Sequence, residues 1–310
     1  MKKSLFMMGM VVLALASCTN EEVVNIPASK AIGFSSFVGN PTKATTEMDG
    51  SQLQTTGFYV WGGRDGLQNF TAQQVTYAGS KWGYEPLRYW EANETYRFAA
   101  FAPDINSATA TFNYDDGHVD LTGYVADINN PEDLVYAKSN DITTTSETGN
   151  SPVDLSFNHV LSWVKINFVN GFADGTKLTI TNVDITGVLG TAVFTNGAFG
   201  TPETEQDFTP VSFSQTAENG HTETVDFTAI PQNITSFVIS FNVTVETADG
   251  NKVAENEPKT ATLSVNWVAN NIYSYTATID GTTIGMQAIE FNPSVEGWGT
   301  TNPDQDVTIQ

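Results

Sequence analysis

The sequence predicts an all-β protein built from two antiparallel β-sandwiches. Apolar and polar residues alternate over residues 160–168, 237–245 and 261–268, which is typical of half-buried strands. Asp-Gly and Asn-Gly pairs separate such stretches, and these pairs tolerate the positive φ angles of tight hairpins. No run of a dozen residues shows a capped helical period, and the best helix candidate is a single turn near residues 131–133.

At the N-terminus, a short basic start precedes an apolar run over residues 5–15 and then Leu15-Ala16-Ser17-Cys18. This order predicts a secretory signal peptide over residues 1–17 that is too short to span a bilayer. Because the only cysteine of the chain directly follows the small residues, the stretch resembles a bacterial lipobox with Cys18 as the lipidated residue. The alternative is an ordinary signal peptide with a chance cysteine. A lone cysteine also excludes an internal disulfide.

The strand stretches follow in chain order, each with one apolar face. The first lies at residues 31–38, and residues 111–121 and 243–257 are predicted hairpins closed by Asp-Gly turns. The faces predicted to point inward are Val160, Val164, Ile166 and Phe168 in one strand, Phe237, Ile239, Phe241, Val243 and Val245 in a second, and Ala261, Leu263, Val265 and Trp267 in a third. A polar, turn-rich segment at 138–152 places a change of domain near residue 158.

Composition limits the function classes. The chain has 13 basic and 35 acidic residues, a net charge of −22. Without residues 1–17 it loses Lys2 and Lys3, which leaves 11 basic residues and a charge of −24. This balance argues against nucleic-acid partners and against docking on anionic lipid. The 40% hydrophobic content is enough to build a core.

The sequence contains no recognisable catalytic or metal-binding motif. The three histidines show no zinc-site spacing, and His159 is predicted to be a hydrogen-bonded structural residue. The acidic hairpin with Asp115, Asp116 and Asp120 lacks the ligand ladder of an EF-hand, with weak calcium binding as the alternative. No nucleophile elbow or P-loop is present, so the sequence predicts neither an enzyme nor a cofactor.

An aromatic run at residues 82–90 allows two interpretations. Trp82, Tyr84, Tyr89 and Trp90 either form core and corner positions or a platform on which sugars stack. Exposure of Trp82 and Trp90 on one flat face would favour a carbohydrate-binding surface protein, and burial of both would remove that interpretation.

Four segments together resemble the fimbrillin family of Bacteroidetes lipoproteins, the subunits of type V pili. They are LRYWEANETYRFAAFAP at 87–103, DLVYAKS at 133–139, VDLSFNHVLSWVKINF at 153–168, and the block from WVANNIYSYTATI to IEFNPSVEGW at 267–298. The resemblance implies two transthyretin-like sandwiches and polymerisation by strand exchange. In that scheme a trypsin-like protease releases an N-terminal strand, and the C-terminal segment of another pilin subunit replaces it.

Carried onto this chain, the resemblance implies specific sites. The released strand would present Ile32, Phe34 and Val38, with cleavage at Lys43-Ala44, although many family members have arginine there. The C-terminal sequence QDVTIQ would be the donor strand, through Val307 and Ile309. The domains expected are therefore a signal peptide at 1–17, a lipidated propeptide at 18–43, and sandwiches at 44–158 and 159–310.

The expected function is a pilus subunit that serves cell adhesion and is held on the outer membrane by its lipid. Its expected partners are other pilin subunits, a maturation protease and a host or bacterial surface ligand. Two alternatives stay open: a permanent edge strand at 31–38 in a chain that never polymerises, and a non-polymerising carbohydrate-binding lipoprotein.

Overall fold

The protein is described here from a computed structural model that covers residues 30–38, 47–105, 108–146, 151–173, 175–209, 211–217, 220, 222–284 and 289–298. Within these residues the chain forms 21 strands and two short helices. The elements are β1 (Phe34–Val38), α1 (Gly50–Thr56), β2 (Phe58–Arg64), β3 (Leu67–Ala78), β4 (Lys81–Gly83), β5 (Thr95–Ala102), β6 (Thr109–Asn113), β7 (His118–Val125), β8 (Val135–Lys138), β9 (Ile142–Thr143), β10 (Val153–His159), β11 (Ser162–Asn170), β12 (Lys177–Thr186), β13 (Val188–Thr195), β14 (Ala198–Phe199), β15 (Glu203–Gln206), β16 (Val211–Ala217), β17 (Thr222–Ala229), β18 (Gln232–Glu246), β19 (Lys252–Trp267), β20 (Asn271–Ile279), α2 (Gly281–Ile284) and β21 (Asn292–Gly297).

Four sheets organise these strands. Sheet A has the order β1-β10-β8-β5-β2-β3-β4, with β9 beside β5. Sheet B is β17-β11-β20-β21 and sheet C is β16-β12-β18-β19. Sheet D is β14-β13-β7-β6, with β15 beside β13. The prediction of an all-β fold is therefore confirmed.

Sheets B and C contribute the side chains of one large core in the C-terminal half. The alternating face of β18 supplies it with side chains that are at most 1% exposed: Phe237, Ile239, Phe241, Val243 and Val245. Val164, Ile166 and Phe168 of β11 lie in the same core, as do Ala261, Val265 and Trp267 of β19, while Leu263 is partly buried against it. Period-two alternation thus places these residues correctly, since each strand has one face on the core. Val160, which was predicted to share this face, precedes β11 and belongs to a different core.

A second core lies against one face of sheet A and includes residues of β1, β2, β3, β5 and β10. A third core lies at the other face of sheet A and joins it to sheet D and to the beginning of β11. Strand β5 supplies both: Phe98 and Ala100 belong to the second core, and Ala99 and Phe101 to the third. Sheet D takes strands from both sides of residue 158, and the boundary placed there stays a prediction.

The Asp-Gly and Asn-Gly pairs have two different structural roles. Asn196 and Gly197 both have positive φ, at 49° and 88°, in the turn between β13 and β14. The hairpins β6–β7 and β18–β19 are also formed as predicted. Asp49 instead begins α1, where its carboxylate accepts a hydrogen bond from the Gln52 amide at 2.6 Å. Asp280 likewise accepts from the Thr282 amide before α2.

The predicted helical turn near residues 131–133 is wrong. This segment has no helix, and strand β8 starts two residues later. The physical reason is that Asp133 is drawn into the interior by hydrogen bonds from the Met48 amide and from His159, while the Glu132 carbonyl accepts from Thr228. These long-range bonds hold the backbone extended.

Two strand pairs depart from a purely antiparallel arrangement. Strand β1 is parallel to β10, and β11 is parallel to β20. In both cases more than 90 residues separate the partners along the chain, which provides the long connection that parallel pairing needs. In the part of the chain that the structure describes, no helix has the length and apolarity to cross a bilayer.

Candidate functional site

The candidate site is the position of β1 at the edge of sheet A. Ile32, Phe34 and Val38 are 1%, 6% and 4% exposed and belong to the second core. Phe37 points the other way and is 58% exposed. Strand β1 therefore fills an apolar groove with one face and shows the opposite face to solvent.

The backbone just before β1 is bonded to the segment that precedes β5. The Ile32 amide donates to the Arg88 carbonyl at 2.8 Å, and the Trp90 amide donates to the Lys30 carbonyl at 3.0 Å. The Tyr84 hydroxyl donates to the Ile32 carbonyl at 2.8 Å. Burial raises the pKa of Tyr84 to about 12, so the hydroxyl keeps the proton it donates at neutral pH.

Within β1 itself, ladder hydrogen bonds exist on one edge only. The register runs from Phe34 opposite Val153 to Val38 opposite Phe157. Strand β10 pairs with β8 only at Asn158 and at the following residue. Among the described strands, β1 is thus the sole ladder partner of residues 153–157, and its removal would expose both an apolar trench and unpaired backbone groups.

Phe34 provides the main anchor of β1. Its ring contacts those of Phe58, Phe70, Tyr84 and Phe98 edge-on, with centroid distances of 6.1, 5.6, 5.7 and 5.7 Å. Edge-to-face packing of this kind adds about 0.5–1.5 kcal/mol per pair beyond burial. The groove consequently offers a defined pocket for one aromatic or large aliphatic side chain.

Next to this groove lies a buried polar group that we call the junction cluster, made of Glu47, Met48, Asp133, His159 and Trp298. Asp133 accepts from the Met48 amide at 2.7 Å and lies 2.9 Å from His159 Nδ1. Trp298 stacks on His159 with a centroid distance of 4.1 Å and donates to Glu47 Oε1 at 2.8 Å. His159 is thus buried and hydrogen-bonded as predicted, and its structural role stays a prediction.

The junction cluster brings together distant parts of the chain. Glu47 and Met48 follow the predicted cleavage bond by a few residues, and Trp298 precedes the predicted donor segment. Glu47 and Trp298 are 251 positions apart, so no periodicity in the sequence could have joined them. The bond between Glu47 and Trp298 therefore joins a residue shortly after the predicted cleavage bond to one shortly before the predicted donor segment.

Several predicted sites lie outside the described residues. These are the lipidation site Cys18, the cleavage bond Lys43-Ala44, and the donor residues Val307 and Ile309. Their roles stay predictions.

The aromatic run does not form a platform of two exposed tryptophans. Trp90 is 2% exposed and packs in the second core against Tyr96 and Phe98. Trp82 is half-buried, with its ring 4.9 Å from that of Phe58. Because the two indoles do not share an open face, this feature gives no support to a carbohydrate-binding surface.

No group of three or more potential metal ligands occurs among the residues that the structure covers. In the acidic hairpin, Asp115 and Asp116 are exposed, and Asp120 lies 3.1 Å from the buried His118 Nε2. Asp120 is thus paired with a histidine of its own strand, β7.

Comparison with known proteins finds a matching family and several solved structures with a similar fold. The sequence model of the fimbrillin-like family matches residues 42–298. The fold is similar to that of a fimbrial protein from Bacteroides vulgatus, with a TM-score of 0.59, 18% identity, and coverage of 87% of this chain and 99% of that chain. It is also similar to a candidate cell adhesion protein from Bacteroides ovatus, with a TM-score of 0.55, 12% identity, and coverage of 88% and 99%. No curated protein matches the sequence.

The identities to the solved structures are low, so those similarities concern the fold. The family match covers well over half of the chain. It includes every residue of the four segments that carried the resemblance to fimbrillins. This chain belongs to the fimbrillin-like family.

Proposed function

We propose that this chain is a structural subunit of a cell-surface fimbria that is assembled by protease-triggered strand exchange. In this proposal residues 31–38 fill the groove of sheet A before assembly and leave after cleavage, and a strand from another subunit replaces them. The observation that carries the proposal is that β1 buries one face in the core while its ladder bonds lie on a single edge. Such a strand can be exchanged without rearranging the rest of the sheet.

The strength of the contact supports exchange over spontaneous loss. Burying Ile32, Phe34 and Val38 is worth about 1.5–3 kcal/mol for each side chain. Five ladder positions on β10 add backbone hydrogen bonds, each worth about 0.5–1.5 kcal/mol. An occupied groove is therefore long-lived, and a strand of similar pattern gains the same contacts when it enters.

The cleavage site follows from the distribution of basic residues. Lys43 is the only lysine or arginine between Lys30 and Arg64. A trypsin-like protease that separates β1 from α1 must therefore cut after Lys43. An enzyme restricted to arginine would leave this chain intact, so the proposal requires a protease that accepts lysine.

The remaining parts of the proposal concern the two chain ends. Val307 and Ile309 would supply the apolar face of the donor strand, and Cys18 would carry the lipid that holds the uncleaved subunit on the outer membrane. The polymer would serve adhesion through a host or bacterial surface ligand. The proposal assigns no catalytic step and no cofactor to the chain.

Controlled cleavage of the purified protein tests this function. A lysine-specific endoprotease is expected to cut at Lys43-Ala44 and to convert the monomer into oligomers that survive an unboiled SDS gel. The matched control is Lys43→Gln, which removes the only basic residue between Lys30 and Arg64 and is expected to stay uncut there and monomeric. Mass spectrometry identifies the new N-terminus.

The contrary outcome is equally specific. If the chain is cut after Lys43 but residues 31–38 stay bound and no oligomer forms, β1 is a permanent edge strand and the proposal fails. A synthetic peptide of residues 304–310, added during cleavage, provides a second readout, since a working donor would be captured by the vacated groove.

A further inference from the structure

A second feature lies away from the groove of β1, at the edge of the third core. A cleft of about 150 Å³ opens between the end of β7 and the segments around it. We call it the acidic cleft, and its chemically active lining residues are Asp104, Tyr124, Asp127, Asn130 and Glu132.

The acidic cleft has negative charge without a counter-charge. Among the described residues, no lysine, arginine or histidine forms a salt bridge with Asp104, Asp127 or Glu132. Partial burial raises the pKa of Glu132, and the neighbouring Asp104 and Asp133 raise it further. The cleft therefore contains carboxylates that repel one another and would be stabilised by a cation.

Tyr124 is an independent indication of a ligand. Its side chain lines the cleft and is only 8% exposed, yet in the part of the chain that is described its hydroxyl has no hydrogen-bond partner. The hydroxyl keeps some solvent access at the cleft, where a ligand can reach it. The hydroxyl is close enough to Glu132 for the negative charge there to raise the pKa of Tyr124, in addition to burial. An occupant of the cleft that donates hydrogen bonds would satisfy both groups.

The walls of the cleft are fixed before any ligand arrives. The Asn129 side chain donates to the Asp207 carbonyl at 2.9 Å and accepts from the Thr209 amide at 2.6 Å. The Thr228 hydroxyl donates to the Glu132 carbonyl at 2.9 Å. These bonds tie the loop between β7 and β8 to the C-terminal half, so little ordering is needed on binding.

The chemistry of the lining selects an organic cation. The carboxylates do not form a group that could hold a metal ion, and the cavity is larger than the volume of a single water. Ile105 adds an apolar wall suited to methylene groups. An ammonium or guanidinium group on an alkyl chain meets all three conditions, because it carries the charge, several N–H donors and an apolar stem.

We propose that the acidic cleft binds a lysine or arginine side chain of a partner protein. Asp104 and Glu132 would accept hydrogen bonds from the cationic group, and the Tyr124 hydroxyl would accept a further one. The chain's net charge of −22 would favour the approach of a basic partner surface. This binding does not depend on the exchange of β1.

The probes for this site are Nα-acetyl-lysine N-methylamide and its arginine counterpart, titrated into the ¹⁵N-labelled protein at low salt. The matched neutral probe is Nα-acetyl-glutamine N-methylamide. Saturable amide shifts are expected at residues 124–132 with the two cationic probes only. Glu132→Gln is expected to weaken binding about tenfold, and Tyr124→Phe is expected to weaken it while leaving stability unchanged, since its hydroxyl has no partner to lose.

The control variant is Glu296→Gln, an exposed carboxylate outside the cleft, which is expected to bind like the original protein. The proposal is overturned if no shifts occur at residues 124–132, or if the neutral probe produces the same shifts. It is also overturned if Glu132→Gln and Tyr124→Phe both bind normally. Saturation of the same residues by calcium chloride at lower concentration than by the lysine probe would make the cleft a metal site instead.

Discussion

Replacing Phe34 by alanine tests whether β1 is a separable element held by its aromatic anchor. Phe34 is 6% exposed and contacts four aromatic rings. Truncation of a phenylalanine in such a site costs about 3–5 kcal/mol. Because each 1.4 kcal/mol is a factor of ten, local opening of β1 is expected to become roughly 10²- to 4 × 10³-fold more frequent.

Hydrogen exchange followed by mass spectrometry measures this opening segment by segment. In Phe34→Ala, exchange is expected to accelerate at residues 34–38 and at their ladder partners 153–157. Segments of β18 and β19 are expected to keep their original rates, because their buried side chains lie in a different core from those of β1.

The matched control is Phe37→Ala on the same strand, where the side chain is 58% exposed. It removes a ring of the same size and is expected to change exchange little, since substitutions at exposed sites usually fall within about 0.5 kcal/mol. The reasoning is refuted if Phe34→Ala accelerates exchange equally throughout the chain, because β1 would then be inseparable from the global fold. It is also refuted if the two variants behave alike.

Two further predictions concern the contacts around the groove. Asp133→Ala leaves the Met48 amide and His159 Nδ1 without their partner. It is expected to lower the free energy of unfolding, measured by urea denaturation, by about 2–5 kcal/mol. An unchanged urea midpoint would contradict this. Tyr84 has a pKa raised above its ordinary value of 10 to about 12, so its stabilising effect is complete below pH 10 and is lost as the pH rises toward 12. Between pH 10 and 12 the stability of the Tyr84→Phe variant should therefore fall less than that of the original protein. An identical fall in both proteins would argue against the hydrogen bond from the Tyr84 hydroxyl to the Ile32 carbonyl.

The sequence predicts those parts of the fold that depend on local alternation. The inward faces of β11, β18 and β19 follow from period two because alternate side chains of each strand lie in the C-terminal core. The apolar face of β1 is visible in the same way at Ile32, Phe34 and Val38. The hairpin turns follow from residues that tolerate positive φ, as at Asn196 and Gly197.

Features that depend on distant partners could not be predicted. Trp163 lies on the opposite face of β11 from its predicted inward residues and belongs to the third core, because the strand meets different neighbours on its two sides. Asp49 and Asp280 cap helices although their Asp-Gly pairs resemble hairpin turns. The junction cluster depends on the stacking of Trp298 on His159, which only the tertiary structure brings about.

The most direct test of strand exchange is the state of the protein in its native cell envelope. The measurement is the N-terminal mass of the isolated protein together with an unboiled SDS gel. Our account predicts an N-terminus at Ala44 and a ladder of SDS-resistant oligomers. A lipid-modified N-terminus at Cys18 with a single monomer band would contradict it and would show that β1 stays in its groove.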